Sequence, residues 1–187
     1  MLKKRKLRKA AITAAVPVAI IAAVMVGSMK QKSAAQEAYK EKMESMAYQQ
    51  AIDSLEELRM QGEKNAELLA RIAMSEAEGQ DVEGKALVIL TVLNRSNDSR
   101  FPDSIEGVIY QKGQFASVSS GKFLQVEPDS GCYDALRLVD GGWDESQGAL
   151  YFNKTPGPGE TTWHSRNLVA LFTHGNRTFY TERGESE

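Results

Sequence analysis

The alternation of apolar and polar positions divides the chain into three textures. Residues 10–27 form an uncharged Ala/Ile/Val run, interrupted by Thr13 and Pro17. A helix crossing the hydrocarbon core needs about 20 apolar residues, with about 17 as the lower limit, and this run meets it. Residues 28–65 are rich in Lys, Glu, Gln, Ala and Met and lack proline, so helix propensity is high throughout. An apolar stripe begins at Tyr39, Met43 and Met46 but lapses at Gln50 and Asp53, which rules out a sustained coiled coil. A solvated helical stalk is expected there. From residue 66 onward, turn residues punctuate short apolar segments, the texture of a globular domain over 66–181. Residues 182–187 are mostly charged and read as a tail.

Within the globular part, Leu69, Ile72 and Ala73 occupy i, i+3 and i+4 of a helix predicted over 66–77. Residues 85–93 read as a buried helix that Asp81 caps and that continues into Asn94-Arg95. A short helix is predicted from Asp103 or Ser104, with Ile105, Val108 and Ile109 inward. Another spans 130–139, and Gly141 is placed to stop it. Residues 149–153 read as a strand. Residues 168–172 and 177–180 flank Gly175-Asn176, a good two-residue hairpin turn. The expected fold class is α+β, a mainly helical domain with a small β-sheet, preceded by an N-terminal transmembrane helix and a helical stalk.

Charge sharpens this picture. Lys3, Lys4, Arg5, Lys6, Arg8 and Lys9 make residues 1–9 a basic tail, and basic flanks mark the cytoplasmic side of a membrane span. The globular domain is then expected outside the cell. No A-x-A stands after the apolar run, and Val26-Gly27-Ser28 is a mediocre cleavage site, which favours an uncleaved anchor over a secretory signal peptide. The rest of the chain carries 17 of the 23 basic residues against all 25 acidic ones, a balance of −8. So acidic a body is a poor match for phosphates, and nucleic acid is excluded as a partner. Cys132 is the single cysteine, so neither an intramolecular disulfide nor a cysteine-based zinc site can form.

The candidate chemistry begins where the helical stripe breaks its own rule. The position after Leu69, Ile72 and Ala73 on the core-facing stripe is Glu76, close to Gly79, which can end the helix. Burial disfavours the charged form of a carboxyl, and a carboxylic acid that keeps its proton can donate it to a glycosidic oxygen. On spacing alone, a frayed or ion-paired surface glutamate remains the commoner case.

A resemblance separates these readings. Ala70-Arg71-Ile72-Ala73-Met74-Ser75-Glu76-Ala77-Glu78-Gly79, then Glu83-Gly84-Lys85-Ala86, then Val92-Leu93-Asn94-Arg95, resembles the opening of the SleB/CwlJ cell-wall hydrolase family. The likeness continues through Phe101-Pro102, Gly107-Val108-Ile109-Tyr110, Gln114-Phe115, Gly142-Trp143-Asp144 and Gly148-Ala149-Leu150-Tyr151-Phe152-Asn153. It closes with Trp163-His164-Ser165-Arg166 and Gly175-Asn176-Arg177-Thr178-Phe179. Each piece is short, but the order is kept over nearly all of residues 66–180. The resemblance implies a domain like lysozyme and the lytic transglycosylases. It implies cleavage of the bond from N-acetylmuramic acid to N-acetylglucosamine in peptidoglycan, with Glu76 as the single acid and base. No metal or organic cofactor is implied. Two departures stand out: Glu78 replaces the arginine usual after Glu-Ala, and His164 replaces the second tryptophan of the tail motif. The loop 155–162 is also unusual in composition.

Around Glu76, the candidate glycan-binding residues are Gln114, Phe115, Tyr151, Asn153, Trp163, Ser165 and Arg166. Gln114 and Phe115 offer an amide and an aromatic platform after the Gly113 turn, although Phe115 fits a core role equally well. Tyr151 and Asn153 share one face of a strand; if that face lines the groove both orient the glycan, and if not Tyr151 is a core aromatic. Arg166 suits a muramic carboxylate or a structural ion pair, and Trp143 reads as a packing residue. A hydrolytic muramidase would need a second carboxylate, for which Asp81, Glu83 and Glu106 are candidates that the sequence does not set opposite Glu76. An amidase or peptidase fits poorly, because His164 and His174 are isolated and Cys132 lies apart from any Cys-His motif. A membrane-tethered wall-binding protein that keeps the fold is the rival from another class.

Overall fold

A computed structural model describes residues 2–183, with side chains described over 20–183. The chain divides into two compact units, Met1–Leu58 and Arg59–Glu187. Helix α1 (Leu2–Ala77) reaches from the first into the second, so the helix predicted over 66–77 is the end of a much longer one. Its sequence between the apolar run and Gly79 lacks proline and favours helix at almost every position. In the first unit, every described side chain except Ile52 is exposed.

The expected transmembrane helix over 10–27 is corrected. Among the described residues, no helix is long and apolar enough to cross a membrane. After Gly27 the described part of α1 turns polar at Lys30 and Lys32 and stays so through the stalk. The side chains of 1–19, including the basic cluster, and residues 184–187 of the charged tail lie outside the described residues.

In the second unit the end of α1 delivers Leu69, Ile72 and Ala73 to the core. Gly79, at φ +81°, stops the helix in a left-handed conformation that costs glycine little. Helix α2 (Val82–Ser96) follows at once. Its N-cap is Asp81, whose carboxylate accepts from the Gly84 N–H at 2.8 Å. From Gly84 to Val92 every residue of α2 is buried, so α2 is the axis of the domain. Helix α3 (Ile105–Tyr110) buries Val108 and Ile109, and the short α4 (Ala116–Ser119) and α5 (Lys122–Gln125) come next. Helix α6 (Ser130–Asp140) lies against α2 through Cys132 and Ala135, with Gly141 as its C-cap.

The sheet has the order β1-β3-β2 and is antiparallel throughout. Strand β1 (Tyr151–Lys154) pairs with β3 (Arg177–Glu182), Phe152 opposite Phe179 and Asn153 opposite Thr178. Strand β2 (Leu168–His174) forms the expected hairpin with β3 around Gly175-Asn176, with an irregularity between Ala170 and Phe172. Helix α7 (Trp163–Asn167), for which no element was predicted, follows the loop 155–162. Thr162 and Ser165 form a reciprocal capping box that starts it. Trp143 packs against both core clusters, as a packing residue does.

Candidate functional site

The end of α1, the loop before α4 and strands β1 and β3 enclose a cleft of about 630 Å³. Glu76, Arg95, Gln114, Phe115, Phe152, Asn153, His164 and Arg177 are among its walls. Among the described residues, Glu76 is the only carboxylate that lines it.

Glu76 sits on the last turn of α1, so the backbone of a packed helix fixes its position. Its side chain keeps 14% of its accessible surface. Oε1 accepts the Ser117 hydroxyl at 2.6 Å and is 3.4 Å from the Ser117 amide nitrogen. Ser117 is buried and also meets Ser75 Oγ at 3.1 Å. Oε2 faces Arg177, whose Nη2 is 3.9 Å away. The carboxyl is therefore held from both sides by donors rather than set in a wholly apolar pocket. Arg177 lies over the Phe152 ring at 4.9 Å, and burial lowers its pKa against the opposing pull of Glu76.

Arg177 opens β3, so the hairpin turn sets its location. That turn is pinned to the α1–α2 junction. His174 Nε2 lies 2.7 Å from Asp81 Oδ1, and Gln80 Nε2 donates to Asn176 Oδ1 at 3.0 Å. The hydrogen bond from His174 holds the Asp81 carboxyl below its usual range.

The opposite part of the cleft is built on Arg95. This side chain is 3% exposed and its guanidinium stands over three rings, Phe101 at 5.2 Å, Phe115 at 5.3 Å and Tyr151 at 5.0 Å. Nε donates to the Leu150 carbonyl at 2.5 Å, while the buried Nη1 has no partner. Burial pulls its pKa down to about 10, which leaves it a cation at neutral pH. Each ring contributes about 0.5–2 kcal/mol, against a desolvation cost of several kcal/mol per buried ion. The rings alone do not compensate the charge fully. Its neighbour Asn94 donates to Ser146 Oγ at 3.0 Å and the Ala149 carbonyl at 3.1 Å, which ties the loop before β1 to α2.

Of the residues singled out in the sequence, Glu76, Gln114, Phe115 and Asn153 meet at the cleft. Phe115 is buried in the core cluster and also lines the cleft. Tyr151 lies outside the lining. Its hydroxyl donates to Glu182 at 2.7 Å and its ring supports Arg95. Trp163, Ser165 and Arg166 are not in the lining either. Trp163 is 57% exposed, Ser165 is spent in the capping box of α7, and Arg166 Nε donates to the Thr162 carbonyl at 3.3 Å. The departure at His164 lies in the cleft wall, where its Nδ1 is 3.2 Å from Asn153 Nδ2. Burial first, then the Arg95 charge, pushes its pKa down. Glu78 is exposed and paired with Lys122 at 2.9 Å. The sequence reading missed Arg95, Ser117 and Arg177 as functional candidates. Arg95 and Arg177 stood inside the quoted motifs, but only the fold brings them to one cavity.

The three candidate second carboxylates lie elsewhere. Asp81 pairs with His174, Glu106 pairs with Lys64 at 2.6 Å, and Glu83 is an exposed first-turn residue of α2. Cys132 is buried, and its thiol is pushed up to about 11 by burial and by Asp129, so it is a poor nucleophile.

Residues 79–180, more than half of the chain, match the family described as Cell Wall Hydrolase. The chain belongs to the cell wall hydrolase family. Glu76 lies just ahead of the matched span. The cell wall hydrolase CwlJ of Bacillus subtilis is 31% identical over 128 residues, covering 65% of this chain and 88% of that protein. The spore cortex-lytic enzyme of Bacillus subtilis is 35% identical over 108 residues, 57% of this chain and 35% of that one. The chain spans about a third of the length of the spore cortex-lytic relatives it matches. The crystal structure of the catalytic domain of the Bacillus cereus SleB protein superposes with a TM-score of 0.56 at 24% identity, covering 64% of this chain and 91% of that one, a likeness of fold.

Proposed function

We propose that this cell wall hydrolase cleaves the glycan strands of peptidoglycan between N-acetylmuramic acid and N-acetylglucosamine, as a lytic transglycosylase with Glu76 as its acid and base. The catalytic body is taken as residues 66–181. The observation that carries the reading is that, among the described residues, Glu76 is the single carboxylate lining the cleft. A hydrolytic glycosidase would normally set a second carboxylate about 5–10 Å across the sugar. One carboxyl suffices when the substrate supplies its own nucleophile.

In this reading Glu76 gives its proton to the glycosidic oxygen as the bond from that oxygen to C1 breaks. The muramic 6-hydroxyl oxygen then bonds to C1, and Glu76 takes the hydroxyl proton back. Atoms balance without water, and the product is a 1,6-anhydro end. Ser117 on Oε1 fixes the carboxyl plane. Arg177 beside Oε2 stabilises the carboxylate once its proton has left. Gln114, Phe115 and Asn153 orient the sugars in the cleft, and exposed Trp163 offers a stacking face next to His164 for the strand beyond it. The likeness to proteins named as cell wall hydrolase and spore cortex-lytic enzyme supports peptidoglycan as the substrate.

The test is digestion of purified peptidoglycan by the full chain beside Glu76→Gln, with products identified by mass spectrometry. Anhydro-muramic ends from the unaltered chain alone are expected. Reducing ends would replace the transglycosylase step with hydrolysis. No cleavage by folded protein would favour a wall-binding role.

A further inference from the structure

The cleft carries more positive than negative charge, and the surplus has a location. Glu76 faces Arg177 at one part of the wall. Arg95 stands in another part, beside Asn153 and His164, and among the described residues it pairs with no carboxylate. The two arginines flank one aromatic unit. Arg95 lies on Phe115, Phe115 meets Phe152 with centroids 6.1 Å apart, and Phe152 carries Arg177.

A buried guanidinium with a spare donor needs an acceptor, because an unmade hydrogen bond in a low-dielectric site costs more than a made one returns. Burial also leaves its charge poorly screened toward the cleft. His164 is no competitor as a cation there, since burial and Arg95 itself keep it neutral at pH 7. Its Nδ1 accepts from Asn153, so the neutral ring carries its proton on Nε2 as one more donor.

We propose that Arg95, flanked by Asn153 and His164, is a subsite for a carboxylate borne by the glycan, so that acidic strands bind in preference to neutral ones. The inference rests on the glycan-cleaving reading above and names a substrate feature for it. Two sources present this chemistry in peptidoglycan: the free lactyl carboxylate of a muramic acid without a peptide, and a carboxylate of the attached stem peptide.

Isothermal titration calorimetry of the full chain tests it with three ligands. These are a GlcNAc–MurNAc disaccharide with a free lactyl carboxylate, its uncharged methyl amide, and the same disaccharide bearing a stem dipeptide. The acid is expected to bind about tenfold more tightly than the amide, with the difference shrinking as salt is added. Arg95→Gln removes that difference, and Arg95→Lys keeps part of it. Tighter binding of the dipeptide form than of the free acid assigns the carboxylate to the stem peptide, and the reverse assigns it to the lactyl group. Equal binding of acid and amide, or binding of neither, overturns the subsite. The comparison of acid with amide uses the unaltered chain, so it stands even if an Arg95 variant fails to fold. Cleavage of intact peptidoglycan by the same preparation is scored separately. Cleavage without carboxylate preference sinks the subsite alone, and preference without cleavage sinks the catalytic reading alone.

Discussion

The Ser117 hydroxyl donates to Oε1 of Glu76 at 2.6 Å, across a gap of 41 residues in the chain. Glu76 belongs to the last turn of a long helix and Ser117 to a four-residue one. The bond leaves Oε2 as the oxygen turned toward Arg177. The two oxygens of one carboxyl thus have different neighbours, an arrangement that suits a group required to give a proton and then recover it.

Replacing Glu76 with Gln keeps the shape and the contact with Ser117 but removes the transferable proton. The rate of glycan cleavage is expected to fall about a hundredfold to ten-thousandfold. Thermal unfolding should change little, because the site keeps its hydrogen-bonding capacity. Turbidity loss of a peptidoglycan suspension beside a melting curve separates the two. Retained cleavage would remove Glu76 from the mechanism.

Ser117→Ala deletes the hydroxyl that meets both Glu76 and Ser75. Loss of an intramolecular hydrogen bond costs about 0.5–1.5 kcal/mol, and a urea unfolding curve reads it directly. Because the carboxyl would be free to rotate, kcat should fall more than KM rises. An unchanged kcat would mean that helix α1 alone orients Glu76.

Local features of this chain were legible in the sequence for local reasons. The stripe of Leu69, Ile72 and Ala73 marked the core face of a helix because helical neighbours recur every three or four residues, and it pointed to Glu76. Asp81 was legible as a cap and Gly175-Asn176 as a turn, since each acts on its own backbone. Arg95, Ser117 and Arg177 were not, because they lie on α2, α4 and β3; Arg95 and Arg177 share the cleft wall, and Ser117 reaches Glu76, only in the folded domain. Helix α7 was missed because its capping box uses Ser165 rather than the usual acid or amide. The apolar run over 10–27 suggested a membrane span, and the described part of α1 contains no such span.

Asp81 joins two elements, as cap of α2 and as partner of His174. Asp81→Ala should destabilise the domain by about 0.5–2 kcal/mol from the cap alone. It should also slow cleavage, because the hairpin that carries Arg177 loses an anchor. Asp81→Asn keeps the cap and should retain most of the stability. Urea midpoints and cleavage rates of both variants check this. Equal stability of the two would mean that the cap contributes nothing.

The ion pair of Asp129 with buried Lys85, at 2.8 Å, predicts an acid-sensitive step. The hydrogen bond from Lys85 and those from Cys132 outweigh burial and hold the Asp129 carboxyl down at about 2. A carboxyl lowered in the folded state stabilises fully above its unfolded value of about 3.9. That stabilisation is lost as the pH falls from about 4 through about 2. Asp129 is half exposed, so solvent screening keeps the effect modest. Asp129→Asn preserves the cap of α6 while removing the charge. Its urea midpoint should therefore depend less on pH in that window than the parent's. Parallel profiles would place the acid sensitivity elsewhere.

Tyr151 and Asn153 sit on the same face of β1, yet they occupy different environments. Two residues along a strand advance about 6.6 Å, enough to pass from the cleft to the region behind Arg95. Asn153 lines the cleft and contacts His164. Tyr151 has its ring edge-on to Phe101 and under Arg95, and burial and Glu182 push its hydroxyl up to about 12. Tyr151→Phe keeps the ring that supports Arg95 and loses only the bond to Glu182. It should lower stability by about 1 kcal/mol and leave KM and kcat within about twofold. Asn153→Ala should do the opposite, raising KM severalfold for glycan with a smaller change in stability, because it removes an amide that the strand presents to the sugar. Steady-state kinetics on soluble glycan chains, alongside urea unfolding, compares them. A KM effect from Tyr151→Phe as large as that from Asn153→Ala would extend the binding surface behind Arg95 and contradict the division drawn between these residues.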